Sequence, residues 1–185
     1  MLEDIRKDAT ARMTKCVQTF QGDMKKLRTG RAHPSLVEHL KVEYYGSDVP
    51  LQQIASIAVE EGRTLVISPW EKSTVQAIEK AIQKSDLGLN PMTAGTVIRI
   101  PMPPLTEERR RELTKVVRHD AENARVAVRN VRRDVMNDVK ELLKEKLVSQ
   151  DDERRGETEI QKLTDKYVAE IDHLLAAKEK EIMQV

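Results

Sequence analysis

The sequence predicts an α+β protein, an elongated three-helix bundle into which a small α/β domain is inserted. Three observations carry that expectation. Apolar residues recur at steps of three and four over long stretches near both ends of the chain. All seven prolines lie between His33 and Leu105, where that helical texture breaks down. Charged residues make up 34% of the chain and aromatics only 3%, a balance that suits long helices packed along narrow seams.

The first helix is predicted from Leu2, Ile5, Ala9, Met13, Cys16, Phe20, Met24 and Leu27, which form one apolar stripe. Glu3 and Asp4 in its first turn, and Lys25, Lys26 and Arg28 in its last, complement the helix dipole. Gly30 is the expected stop. Leu40, Val42 and Tyr44 then alternate with Lys41 and Glu43, the period of a half-buried strand, and Tyr45-Gly46-Ser47-Asp48 reads as a turn. Further strands are expected over residues 54–59, 64–67 and 96–100. Between them, residues 73–84 form a short helix with Ser73 as its cap, Val75, Ile78 and Ile82 inward and Gly88 just past its end. Pro101-Met102-Pro103-Pro104 interrupts regular structure and reads as a stiff connector.

Helical texture returns at Thr106, a candidate N-cap followed by Glu107 and Glu108. Leu113, Val117, Ala124, Val128, Val131, Val135 and Leu142 mark a second long stripe, and the helix is expected to run to about Leu147. Ser149 with Asp152 predicts the start of a third helix, stapled by Leu147 and Val148. Its inner side carries Ile160, Leu163, Tyr167, Ile171, Leu174 and Ile182. Three amphipathic helices bury their stripes against one another. Residues 1–30 and 105–185 therefore make the bundle, and 31–104 the insert.

Several function classes are disfavoured. A single cysteine, Cys16, leaves no pair for an internal disulfide and fits a reducing compartment. It falls on the first apolar stripe and reads as a packing residue. A charged N-terminal segment without an apolar signal core, and the lack of any ~20-residue apolar run, predict a soluble cytoplasmic chain with no membrane partner. His33, His39, His119 and His173 are scattered without metal-ligand spacing. The phosphate loop GxxxxGK[ST] does not occur. Neither paired carboxylates nor a nucleophilic triad emerges, so a protein without catalytic activity, metal or cofactor is expected. Trp70 reads as packing within the insert. Tyr44 and Tyr45 have the chemistry to stack on bases, although strand tyrosines more often pack at the rim of a core.

Residues 106–134, TEERRRELTKVVRHDAENARVAVRNVRRD, stand out in a chain whose formal net charge is only +1. On a helical wheel Arg111, Arg118, Arg125 and Arg132 step by sevens, Arg129 falls among them, and Glu122 lies close by. Two readings are open. The arginines form a solvated face of weak ion pairs, or they are concentrated where a polyanion docks. The choice of arginine, the bidentate phosphate binder, over lysine favours the second.

RTGRAHPSL at 28–36, VEYYG at 42–46, SDLGLNP at 85–91, PPLTEERR at 103–110 and ARVAVRNVRRD at 124–134 together resemble the bacterial ribosome recycling factor family. The resemblance spans the whole chain in order. It implies an L-shaped molecule in which the insert joins the bundle through a two-stranded hinge, at Thr29, Gly30, Pro103 and Pro104. It implies binding to the large ribosomal subunit and, with elongation factor G and its GTP hydrolysis, splitting of the spent ribosome from messenger and deacylated transfer RNA. Family arginines that contact ribosomal RNA correspond to Arg28, Arg31, Arg110, Arg129 and Arg132, with Arg133 beside them. A monomer is expected. The rival readings are a coiled-coil adaptor or chaperone cofactor that binds a protein client, and a small nucleotide-handling enzyme within residues 31–104.

Overall fold

The computed structural model describes residues 1–184. The chain divides into two compact units, Met1–Thr29 with the chain from Thr106 onward, and Gly30–Leu105.

The first unit holds three helices: α1 (Leu2–Lys25), α3 (Glu107–Lys144) and α4 (Gln150–Met183). With 38 residues, α3 is about 57 Å long. Ala9, Met13, Val17, Phe20 and Met24 of α1 are buried against Leu113, Val117, Ala121, Ala124, Val128, Val131, Val135 and Val139 of α3. From α4 come Ile160, Thr164, Tyr167, Ile171 and Ile182.

Several stripe positions differ from the sequence expectation. Helix α1 stops at Lys25, so Leu27 and Gly30 lie beyond it. Cys16 is half-buried while Val17 occupies the seam, because Val17 continues the four-residue step from Ala9 and Met13. Burial raises the Cys16 thiol pKa. Leu142, Leu163 and Leu174 are also only half-buried. Val139 takes the buried place expected of Leu142, and Thr164 lies in the seam because its hydroxyl donates to the Ile160 carbonyl at 2.9 Å. Gly156 brings α4 close to its neighbours: a Cβ there would lie 3.4 Å from Leu2 Cδ2 and 3.7 Å from Val139 Cγ1.

The ends of these helices follow local chemistry. Thr106 accepts from the Arg109 amide at 3.1 Å. Ser149 and Asp152 form a reciprocal capping box, and those bonds to Ser149 lower the Asp152 pKa. Of the two residues expected to staple the helix, Leu147 is exposed and Val148 half-buried. At the end of α3, the Leu147 amide donates to Leu142 O and the Lys146 amide to Leu143 O. That is a Schellman motif, with Lys146 at φ 58° where glycine is usual.

In the second unit β1 (Lys41–Tyr44) and β2 (Ser47–Pro50) make a hairpin, and β3 (Ala55–Glu60), β4 (Thr64–Pro69), β5 (Met92–Ala94) and β6 (Val97–Pro101) form an antiparallel sheet in the order β3-β4-β6-β5. Helix α2 (Val75–Lys84) contributes Val75, Ile78 and Ile82 to the core containing Leu65, Ile67, Ile98 and Ile100. The β1–β2 turn is only Tyr45-Gly46, both at positive φ, so Ser47 and Asp48 belong to a strand. Pro101 closes β6 opposite Thr64, and the stiff connector shortens accordingly. Ser73 does not cap α2. A 3-10 turn over Lys72–Thr74 leads into the helix, with the Thr74 hydroxyl donating to Glu71 O at 2.7 Å. Trp70 is 66% exposed rather than packed, and the core of this unit is made of aliphatic side chains among which Val75, Ile78 and Ile82 are buried. Tyr44 and Tyr45 both donate to the Glu71 carboxylate, at 2.6 and 3.0 Å, which pushes the Tyr44 pKa up to about 12.

Both chain crossings hydrogen-bond to one turn of the insert. The Ala32 amide donates to Gly62 O at 3.0 Å and the Met102 amide to Arg63 O at 2.8 Å. Gly30 has φ 79°, and a Cβ there would lie 3.4 Å from Leu105 Cγ.

Candidate nucleic-acid interface

A straight α-helix has 3.6 residues per turn, so residues seven apart drift by about 20° per step. The row Arg111, Arg118, Arg125 therefore does not run parallel to the seam. It winds into it, and side-chain exposure falls from 75% through 65% to 18%. The facing surface of α4 carries Glu179 and Asp172, themselves seven apart. Arg118 meets Glu179 at 2.5 Å and Arg125 meets Asp172 at 2.6 Å. Arg125 also holds Glu122 at 3.0 Å. Burial lowers the Arg125 pKa, but the bonds to both carboxylates outweigh it and leave the pKa raised. Arg111 pairs within its own helix with Glu107. Arg118 and Arg125 of the seven-step row thus form an ion-pair seam between α3 and α4, the first of the two readings open from the sequence, while Arg111 pairs within α3 and Arg132 meets a neutral partner. The signal was present in the matching step of Asp172 and Glu179.

The charge left over lies further along α3. Arg129 is 3.5 Å from Glu122, a carboxylate it shares with Arg125. Arg132 donates to the neutral Gln161 Oε1 at 3.2 Å, and Gln161 in turn donates to Asp165 at 2.8 Å. Arg133 is exposed, and among the described residues no carboxylate lies within salt-bridge distance of it. Of the α3 arginines, Arg132 and Arg133 thus join Arg110 in having no carboxylate within salt-bridge distance among the described residues.

The remaining arginines sit elsewhere. Arg110 lies near the start of α3, half-buried, with Nη1 donating to Met183 O at 3.3 Å. It thereby satisfies a carbonyl in the last turn of α4, where the helix dipole favours a cation. Arg28 and Arg31 are exposed in the crossing between α1 and the insert, and both engage neighbours within the chain. Thr29 donates to Glu181 Oε1 of α4 at 2.9 Å. Among the described residues no group of three or more His, Cys, Asp or Glu side chains is placed to hold a metal ion. No helix there is long and apolar enough to cross a membrane.

Comparison with known proteins matches this architecture to one family. Residues 20–183 fit the family model described as ribosome recycling factor. The chain is 60% identical over 185 residues to the ribosome-recycling factor of Thioalkalivibrio sulfidiphilus, and 58% identical over 185 to that of Legionella pneumophila. In each case both chains are covered completely. A solution structure of the ribosome recycling factor aligns with a TM-score of 0.75 at 50% identity, covering 100% of this chain and 98% of that one. The T. thermophilus factor, in a structure describing it and the E. coli elongation factor G bound to the E. coli post-termination complex, aligns with a TM-score of 0.64 at 47% identity. Both of those chains are covered completely.

Proposed function

The chain belongs to the ribosome recycling factor family, and from that premise we propose how it works on the ribosome. It acts after translation termination, in the cytoplasm and as a monomer. It binds the large subunit and, with elongation factor G and GTP, splits the post-termination complex so that messenger and deacylated transfer RNA leave. It is not an enzyme, and the free energy comes from the partner's GTP hydrolysis.

The observation that carries the site is one stretch of α3 on which Arg132 and Arg133 have no carboxylate within salt-bridge distance among the described residues and Arg129 shares the single carboxylate of Glu122 with Arg125. A guanidinium without a nearby carboxylate is available to phosphate oxygens and displaces counterions when it binds them. Arg28 and Arg31 are assigned to RNA contact by their correspondence to family arginines, each already engaging neighbours within the chain. Arg110 is assigned to RNA contact by the same correspondence, and its Nη1 also donates to Met183 O. The hinge lies at the crossings. Thr29 is anchored to α4 on one side and Ala32 to the insert on the other, while Met102 and Thr106 bracket the second crossing. Gly30 and Pro103-Pro104 sit between those anchors.

Sedimentation of the protein with isolated large and small subunits over a range of salt concentrations tests this. Salt-sensitive binding to the large subunit is expected. Arg132→Ala is expected to weaken it by about 1–3 kcal/mol, the cost of a lost charge-assisted contact, with little change in melting temperature. Unaltered binding in both Arg132→Ala and Arg129→Ala would remove the RNA role of this face. Salt-insensitive binding to a protein client would favour the adaptor reading instead.

A further inference from the structure

Helix α3 carries a second row, made of asparagine. The chain has four asparagines, and three of them, Asn123, Asn130 and Asn137, step by seven along this one helix. All three are exposed. Among the described residues their side-chain amides have no hydrogen-bond partner within the chain. On the helical wheel they lie roughly 120–160° from the buried stripe, so the row faces away from α1 and α4. Asparagine is among the weaker helix formers because its amide competes for backbone groups. Glutamine, glutamate or lysine would solvate the same surface with better propensity, and no contact inside the protein offsets the choice.

The row has two charged neighbours at three- and four-residue spacing from both Asn130 and Asn137, Arg133 and Asp134, of which Asp134 is held by Arg12 at 2.7 Å, and seven-residue steps space its amides about 10.5 Å apart. Each amide presents two donors and one acceptor without a charge. That is the chemistry of reading ribose hydroxyls and base edges, whereas guanidinium groups hold phosphates. The wide, shallow minor groove of A-form RNA displays those groups at its surface. Resting on the RNA-binding reading of this helix, we propose that Asn123, Asn130 and Asn137 recognise 2′-hydroxyls and base edges of ribosomal RNA. They would set the register of α3 on the RNA while the arginines supply the salt-dependent attraction.

The test uses the full chain and isolated large subunits. Asn123→Ala/Asn130→Ala/Asn137→Ala improves helix propensity, so the variant is expected to melt at or above the parent temperature. Its dissociation constant should rise at least about tenfold at every salt concentration, with the slope of log affinity against log salt unchanged, since neutral contacts release no counterions. Arg133→Ala should instead flatten that slope by roughly one. Acylation of the ribosomal RNA 2′-hydroxyls should show positions protected by the parent and exposed with the triple variant. Affinity within twofold of the parent, or a slope change as large as that of Arg133→Ala, would overturn the proposal. So would lost affinity with unchanged 2′-hydroxyl protection, which would mean contact with a ribosomal protein. If Arg129→Ala and Arg133→Ala also bind like the parent, the RNA-binding reading of the face fails with it. If they alone lose affinity, only the asparagine row is rejected.

Discussion

Arg125 and Arg133 lie eight residues apart on one helix and do different work. Arg125 is largely covered and bridges Glu122 to Asp172, so its removal leaves Asp172 without its cation and Glu122 with Arg129 at 3.5 Å. Arg125→Ala is expected to lower stability by about 1 kcal/mol while large-subunit binding stays within twofold of the parent, as read from thermal melts and sedimentation together. Arg133→Ala should show the reverse pattern. A second residue-scale expectation concerns Tyr44, whose hydroxyl bond to Glu71 raises its pKa from 10.0 to about 12. Because the folded value is the higher one, the bond's contribution is complete below about pH 10 and is lost as pH rises toward 12. In Glu71→Gln the ultraviolet titration of the phenolates should move back toward 10. An unchanged titration would mean that this hydrogen bond does not hold in solution.

At the scale of elements, the bundle depends on seams and on how its helices end. Val117 and Val131 are both buried on α3. Val117→Asp or Val131→Asp places an unpaired charge in the seam, and each variant is expected to be unfolded or melt far below the parent. Parental melts for both would refute the assignment of this face. The turn after α3 offers a gain. Lys146 adopts φ 58° in a Schellman motif, a conformation that costs a side chain about 1–2 kcal/mol. Glycine relieves that strain but loses more chain entropy on folding. Lys146→Gly is expected to stabilise the protein by roughly 0.5–1 kcal/mol, seen as a melting temperature a few degrees higher.

At the scale of the whole molecule, the question is whether the insert moves relative to the bundle during splitting. Two crossings are the covalent links between the units. A reversible disulfide between one cysteine in each unit, in a Cys16→Ala background, is expected to leave large-subunit binding intact and to block subunit splitting with elongation factor G and GTP. Reduction should restore splitting. If the locked protein splits ribosomes as fast as the reduced one, motion at Gly30 and Pro103-Pro104 is not part of the mechanism.

Much of this protein was legible from its residues one after another. Helix periodicity, the Thr106 and Ser149 caps and the gathering of prolines between His33 and Leu105 are set by interactions within a few residues, and local pattern determines them. The short elements were not legible. Strands β2 and β5 carry four and three residues, too few to show a period, and they exist because a neighbouring strand pairs with them. The exposure of Trp70 likewise depends on which side chains the tertiary packing turns inward. The arginines show the division best. Their number and spacing can be counted along the sequence, but whether a guanidinium is available to RNA depends on what faces it across a seam. Asp172 and Glu179 neutralise Arg125 and Arg118 from another helix, and only the tertiary structure decides that, because charge compensation is a matter of distance in space rather than position along the chain.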